Sequence, residues 1–303
     1  MLGGTGVAGR AALPHLVRGG HDVSVLARSD AAAAVIRDAG ARPVTGDADD
    51  PATLRRWLDG VDAAVDLRVR IPTPGRAVLP GGWREYVRLR DAAAGRLVGA
   101  AIDAGTPRLV HDTVTMVYAD GGDSWLDEDA RVHAPGFMAA NLACEAHLAR
   151  LGAAGGVGVA LRFSQFYGPD DEYSRQLVAQ ARRGRAPVFG GPDAYDSAIH
   201  TDDVGSAVAL AATAPELAAG VYNVADDEPL RHRELVAVLA DAAGRAVRPP
   251  PSWLPRLIPG PVGSMLGRSN RVRSELFRAV TGWRPSVPSR RLGWPAAFST
   301  VRG

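Results

Sequence analysis

Short apolar runs bounded by glycine, proline or acidic residues recur along the chain, and most are followed by longer stretches whose apolar positions return at helical spacing. That alternation predicts buried parallel strands separated by amphipathic helices. Strands are expected at Asp22–Arg28, Arg42–Thr45, Ala63–Leu67, Arg108–His111 running on toward Tyr118, and Val157–Phe163. Helices are expected over Asp30–Ala39, Trp83–Ala104 and Pro135–Leu151, the second closed by Gly105 with Pro107 beyond. The later part is less regular, with helices near Tyr173–Arg183, Asp203–Ala212 and His232–Ala243 and a strand at Gly220–Val224. Pro249 to Pro261 reads as an extended loop, because Trp253, Leu254, Leu257 and Ile258 need burial. Repeated strand–helix units imply a parallel sheet covered on both faces.

The stretch that organises this pattern is Met1 to Gly9, where Gly3, Gly6 and Gly9, with Thr5 and Val7 between them, form a turn that opens a helix running to about Arg18. Helix N-termini carry unpaired N–H groups and a positive dipole end, so a turn without Cβ atoms there lets a pyrophosphate approach. Hence the fold class is α/β, a Rossmann-type doubly wound sheet. Residues 1–165 form the dinucleotide-binding domain, and 166–303 form a smaller substrate-binding part interleaved with the sheet. Only Met1 and Leu2 precede Gly3, so the first strand is expected to be short. At the end of the second strand stand Ala27, Arg28 and Ser29. An arginine there accommodates a 2′-phosphate, which favours NADP over NAD. Asp47 and Ala48 follow the third strand, with Asp47 placed to face the adenine edge. Leu67 and Arg68 lie at the carboxyl end of an inner strand, where ligands bind; Arg68 reads either as an anion contact or as a surface ion pair.

Composition narrows the chemistry. The 303 residues are 46% hydrophobic with no long apolar run, which argues for a globular chain without a membrane span, and no secretory signal is legible. A single cysteine, Cys144, allows no intrachain disulfide and no metal cluster, so a reducing cytoplasm is expected. The formal charge of +2 argues against a nucleic-acid surface, while a pI near 9.0 leaves room for an anionic ligand. All 35 basic residues are arginine. No step can use a lysine ammonium.

Several separated motifs together resemble the extended short-chain dehydrogenase/reductase family, the NAD-dependent epimerase/dehydratase group. They are Gly3 to Gly9, Gly46-Asp47, the strand end before Val117-Tyr118, Leu161-Arg162 with Tyr167-Gly168-Pro169, Ile199 to Val204, Gly220 to Val224, and Thr281 to Pro285. The resemblance implies a Tyr-x-x-x-Lys pair and a Ser or Thr on the reacting oxygen, yet those positions are Phe137, Asn141 and Val114. A phenyl ring has no proton to give. Asn141 can still bond a ribose hydroxyl, but it carries no charge. Thr113 and Thr115 flank Val114, and strand alternation turns both away from its face. Replacement acid/bases are Tyr118, the nearest phenol; His133, in a loop bordering the substrate; and Thr115. His111 reads as buried and hydrogen-bonded, and His200 as orienting backbone. Ser164 and Gln165 belong at the substrate crevice, whereas Arg268, Arg271 and Arg273 read as a surface stripe rather than an anion contact. The implied activity is an NADP-dependent oxidoreductase or epimerase acting on a small hydroxyl or carbonyl compound with a displaced acid/base. A non-redox cyclase, isomerase or lyase, or a silent cofactor-binding protein, is the alternative. The family's habit of pairing through the helices at Trp83–Ala104 and Pro135–Leu151 implies a homodimer.

Overall fold

The computed structural model describes residues 1–258 and 260–300. Its strands are β1 (Ser24–Leu26), β2 (Arg42–Val44), β3 (Ala64–Asp66), β4 (Arg108–Val114), β5 (Val157–Phe163), β6 (Gln165–Tyr167), β7 (Tyr195–Asp196), β8 (Ala198–His200), β9 (Gly220–Val224) and β10 (Leu230–Arg231). Strands β3, β4, β5 and β9 form a parallel sheet in that order, and β1 pairs in parallel with β2. Met1 and Leu2 join the two. Leu2 N donates to Val65 O (2.8 Å), Leu67 N donates to Leu2 O (3.0 Å), and Leu26 N donates to Met1 O (3.1 Å). This is the α/β doubly wound arrangement, with the glycine turn leaving the centre of the sheet.

Both faces are apolar because alternate residues of each strand are buried in opposite layers. Val110, Val159 and Leu161 pack with Ala8, Ala12 and Leu16 of helix Val7–Arg18 and with Val204, Ala207 and Val208 of helix Thr201–Thr213. On the other face, Leu109 and Ala160 meet Leu54 and Leu58 of helix Pro51–Leu58, Leu97 and Ala101 of helix Ala94–Asp103, and Leu148 and Leu151 of helix Ala139–Ala153. A second core, with Leu177, Val178, Leu230, Leu235, Leu239 and Trp294, is built by the C-terminal segments.

Four elements differ from the sequence expectation. The run from Pro249 to Pro261, read as an extended loop, holds a 3-10 turn at Leu254–Leu257, and Trp253 and Leu257 are exposed instead of buried. The strand read as Asp22–Arg28 is only Ser24–Leu26, because Ser29 already caps the next helix by accepting from Ala32 N (3.2 Å). The helix read as Trp83–Ala104 contains a π-helical turn at Leu89–Ala93 between Arg84–Arg88 and Ala94–Asp103. That turn carries Arg90 inward, where its guanidinium bonds both oxygens of Asp112 (3.1 and 2.8 Å). Finally, β4 stops at Val114 and the chain enters a 3-10 turn at Thr115–Val117, which ends the strand alternation assumed for Thr115.

Candidate functional site

The glycine turn is built for close approach. Gly3 has φ 78°, and a Cβ on it would lie 2.6 Å from Leu67 C. A Cβ on Gly9 would lie 2.2 Å from Gly3 O and 2.5 Å from Gly4 Cα, so the turn closes only on glycine. Arg10 N takes Gly6 O (2.9 Å), which leaves the N–H groups of Val7, Ala8 and Gly9 without a helical acceptor. No acidic residue stands in this first turn, Gly6 is exposed and Thr5 is partly so. Backbone donors, a helix dipole and the missing Cβ atoms together fit the pyrophosphate of a dinucleotide. Arg28 is exposed and has no partner among the described residues. Asp47 is exposed, with its Oδ1 accepting from Asp49 N (2.8 Å), while Ala48 is buried.

Arg68 is the ion pair and not a free anion contact. Its Nε and Nη2 reach the Asp66 carboxylate at 2.9 and 2.7 Å. Burial opposes both charges, but each holds the other: Asp66 raises the Arg68 guanidinium, and His111 with Arg68 keeps the Asp66 carboxyl below its ordinary value.

The positions where the resemblance implies an acid/base are apolar or already committed. Val114, Phe137, Met138 and Met265 share one hydrophobic cluster with Val117. The Phe137 ring stacks on Trp83 at 3.5 Å between centroids and meets Tyr86 edge-on at 5.8 Å. Asn141 is fully buried. Its Oδ1 accepts from the Tyr86 hydroxyl (3.0 Å) and its Nδ2 donates to Met138 O (3.1 Å), so both polar atoms of the side chain are already engaged inside the protein.

The proposed substitutes fare unequally. Tyr118 is interior: its hydroxyl donates to Asn223 Oδ1 (2.8 Å) and accepts from Arg162 Nη1 (2.9 Å). Tyr118 lines the cavity that also holds Thr115, but its hydroxyl is committed to Asn223 and Arg162, and burial pushes that phenol up to about 12, which makes it a poor acid. His133 is exposed in its loop, where its backbone carbonyl accepts from Arg268 Nη1 (2.8 Å). Thr115 lines the same cavity as Tyr118. Its hydroxyl donates to Asn270 Oδ1 (3.1 Å) and lies 3.4 Å from Ser164 Oγ, while Asn270 Nδ2 returns a bond to Thr115 O (3.1 Å). Gln165 lines the same cavity; Ser164 is buried behind it. His111 is buried between Asp66 (3.7 Å) and Asp112 (3.4 Å). His200 caps helix Thr201–Thr213, accepting from Asp202 N (3.4 Å). Sequence reasoning missed Asn270, which lies 155 residues from Thr115, and His232, which lines the cavity from the start of helix His232–Ala243. No local pattern marks either residue.

A central glycine turn at the carboxyl edge of a doubly wound parallel sheet, with a cavity lined by Thr115 and Gln165 just past the carboxyl ends of β4 and β5 and by C-terminal segments, defines a dinucleotide-binding α/β protein. The chain belongs to the NAD-dependent epimerase/dehydratase family, the extended short-chain dehydrogenases/reductases, whose family model matches residues 1–225. A 3-diazoavenalumate denitrifying reductase from a Streptomyces species is 33% identical over 310 residues, spanning 97% of each chain. A 4-hydroxy-2-methyl-3-oxo-4-farnesyl-3,4-dihydroquinoline-1-oxide ketoreductase from Stigmatella aurantiaca is 28% identical over 299 residues, 96% of this chain and 82% of that one. Among solved structures, MoeE5 in complex with UDP-glucuronic acid and NAD superposes with a TM-score of 0.79 at 23% identity, covering 99% of this chain and 97% of that one. Human epimerase family protein SDR39U1 with NADPH gives 0.78 at 22% identity, covering 98% of both. These structures share the fold along the whole chain. Both of these sequence relatives are named as reductases.

Proposed function

We propose that this protein is an NADPH-dependent reductase of a small secondary metabolite whose acceptor group is reduced without protonation by the enzyme. One observation carries the reading: Val114 and Phe137 offer no proton, and Asn141 is held by Tyr86 and Met138. A ketone needs an acid as its oxygen becomes an alcohol, and losing that acid costs about a hundredfold to ten-thousandfold. An acceptor that is already cationic has no such need. The arenediazonium group is one such acceptor, and the Streptomyces relative is named for a diazo substrate. Hydride addition to an arenediazonium gives the arene and dinitrogen; the two electrons go to the new C–H bond, dinitrogen leaves, and no net proton is required.

In this reading the turn at Gly3, Thr5, Gly6, Val7 and Gly9 holds the pyrophosphate on unpaired N–H groups, with the Leu67 backbone closing beneath it. Asp47 and Ala48 border the adenine, and Arg28 takes the 2′-phosphate. When bound, the nicotinamide supplies the hydride. The Val114, Phe137 and Met265 cluster excludes water from that side, while Thr115 and Gln165 orient the acceptor from the cavity.

The test is transfer of deuterium from stereospecifically labelled [4-²H]NADPH to 4-methoxybenzenediazonium, which stays cationic at neutral pH, with product deuterium read by mass spectrometry. The expected result is label incorporation from one face of the nicotinamide only, at a rate that requires folded protein. Equal transfer from both faces, or a rate unchanged by heat-denatured protein, is the chemistry of free NADPH and would sink the reading. A separate outcome concerns Arg28→Ala: NADPH binding, followed by nicotinamide fluorescence, should weaken by about tenfold or more while NADH binding stays the same. Equal weakening of both would assign Arg28 no role at the 2′-phosphate.

A further inference from the structure

The arginines at 268, 271 and 273 resemble a stripe in sequence, but they have different surroundings. Arg273 Nη2 pairs with Asp127 (2.7 Å), and Arg271 stacks over Trp125 (4.1 Å) and Tyr195 (4.6 Å). Arg268 lines the cavity instead, and it forms no ion pair among the described residues. Backbone carbonyls fix it: Nε donates to Ser264 O (2.9 Å), and Nη1 donates to Tyr118 O (3.2 Å) and His133 O (2.8 Å). Its Nη2 has no partner among the described residues. A guanidinium held by neutral oxygens keeps its full positive charge and a donor pair for an incoming anion.

The rest of the lining agrees with this. Asp196 is the carboxylate on the cavity wall, and it is neutralised by Arg290 Nη1 at 2.7 Å. Asp120, the acidic group nearest in effect to Arg268, accepts from Gly122 N and Ser269 N (both 3.1 Å). His232 Nδ1 lies 2.9 Å from Gly191 O; a carbonyl only accepts, so the proton sits on Nδ1 and Nε2 is left as an acceptor. Phe189 and Tyr173 supply aromatic surface. The cavity volume is about 150 Å³, the size of one that accommodates benzene. A single ring fits that space.

We propose that the cavity binds a single-ring hydroxyaryl carboxylate, with the carboxylate on Arg268 Nη2 and the ring hydroxyl donating to His232 Nε2. The inference rests on the reading that this cavity holds the hydride acceptor, and it names the class of that acceptor.

Isothermal titration of the full chain with 4-hydroxycinnamate, its methyl ester and unsubstituted cinnamate tests it without turnover. The acid is expected to bind at least tenfold more tightly than the ester, and Arg268→Gln is expected to remove that preference. Cinnamate should bind several-fold more weakly than 4-hydroxycinnamate. Equal binding of acid and ester by the unaltered protein, or no binding of the acid at millimolar concentration, overturns the carboxylate site even if Arg268→Gln fails to fold. Equal binding of cinnamate overturns the His232 contact. Binding through Arg268 with no deuterium transfer in the preceding assay would remove the reductase reading alone; transfer with no preference for the acid would remove this inference alone.

Discussion

Replacing Phe137 with Tyr and Asn141 with Lys together is expected to raise NADPH-dependent reduction of a simple aryl ketone by about a hundredfold to ten-thousandfold, the usual worth of a general acid. The Phe137 ring already lies against Trp83 at 3.5 Å and is only partly buried, so a para-hydroxyl can be added without moving the backbone. Lysine at 141, in the first turn of helix Ala139–Ala153 and four residues after position 137 in the preceding 3-10 turn, supplies the positive charge that asparagine lacks. Phe137→Tyr alone should gain far less, because a phenol with no cation beside it keeps a pKa of about 10. Initial rates of NADPH oxidation with acetophenone measure the effect. A double variant that folds and binds NADPH yet gains nothing would mean that the Phe137 face does not meet the hydride acceptor, and the acid-free reading would lose its basis. Turnover of the diazonium should change little in the same variant, since that step uses no acid from position 137.

Arg90→Met is expected to lower stability by about 3–5 kcal/mol, the cost of stranding a buried charge. Arg90 and Asp112 are both almost entirely inaccessible, and their two bonds tie the π-helical turn to β4. Burial works against the Asp112 carboxylate, but Arg90 and His111 hold its pKa below the ordinary value. A carboxylate depressed in this way stabilises the fold above its unfolded pKa of about 3.9, and that contribution disappears as pH falls through the lower folded value. The gap between the unaltered protein and Arg90→Met should therefore be full at pH 7 and narrow once the pH drops below about 4. Urea unfolding at the two pH values reads it. A loss under about 1 kcal/mol at pH 7 would show that water or a rearranged neighbour satisfies Asp112.

The predictions rest on different sources, and the division follows the physics. The parallel sheet was legible because each strand is apolar on both faces and each helix on one, a pattern that depends only on neighbours within a few residues. The glycine turn was legible for a similar reason: Gly3 and Gly9 meet backbone that is close in sequence or at the next strand, and only glycine permits that approach. The loss of the usual reactive side chains at 114, 137 and 141 could be read from spacing alone. What now occupies those positions could not. Trp83 reaches Phe137, Tyr86 reaches Asn141, and Met265 joins Val114 from the far end of the chain.

The same contrast separates the three neighbouring arginines. Composition showed a chain whose cations are all arginine, which settled that no lysine ammonium takes part in any step. Which arginine is bound to a carboxylate, stacked on a ring or left facing a cavity depends on chain segments brought together over distances that no local pattern encodes. Arg68 meets Asp66 two residues away, but Arg90 needs β4, Arg271 needs Trp125, and Arg268 is fixed by carbonyls of residues 118, 133 and 264. Thr115 illustrates the limit most clearly. Alternation along an unbroken strand would have turned its hydroxyl away from the site, and a change of backbone conformation directly after Val114 brought it to Asn270 instead. Periodicity along the chain determines the layers and the nucleotide turn; which side chains remain free to meet a substrate is decided by long-range contacts, because each polar group committed elsewhere in the folded interior is one fewer available for chemistry.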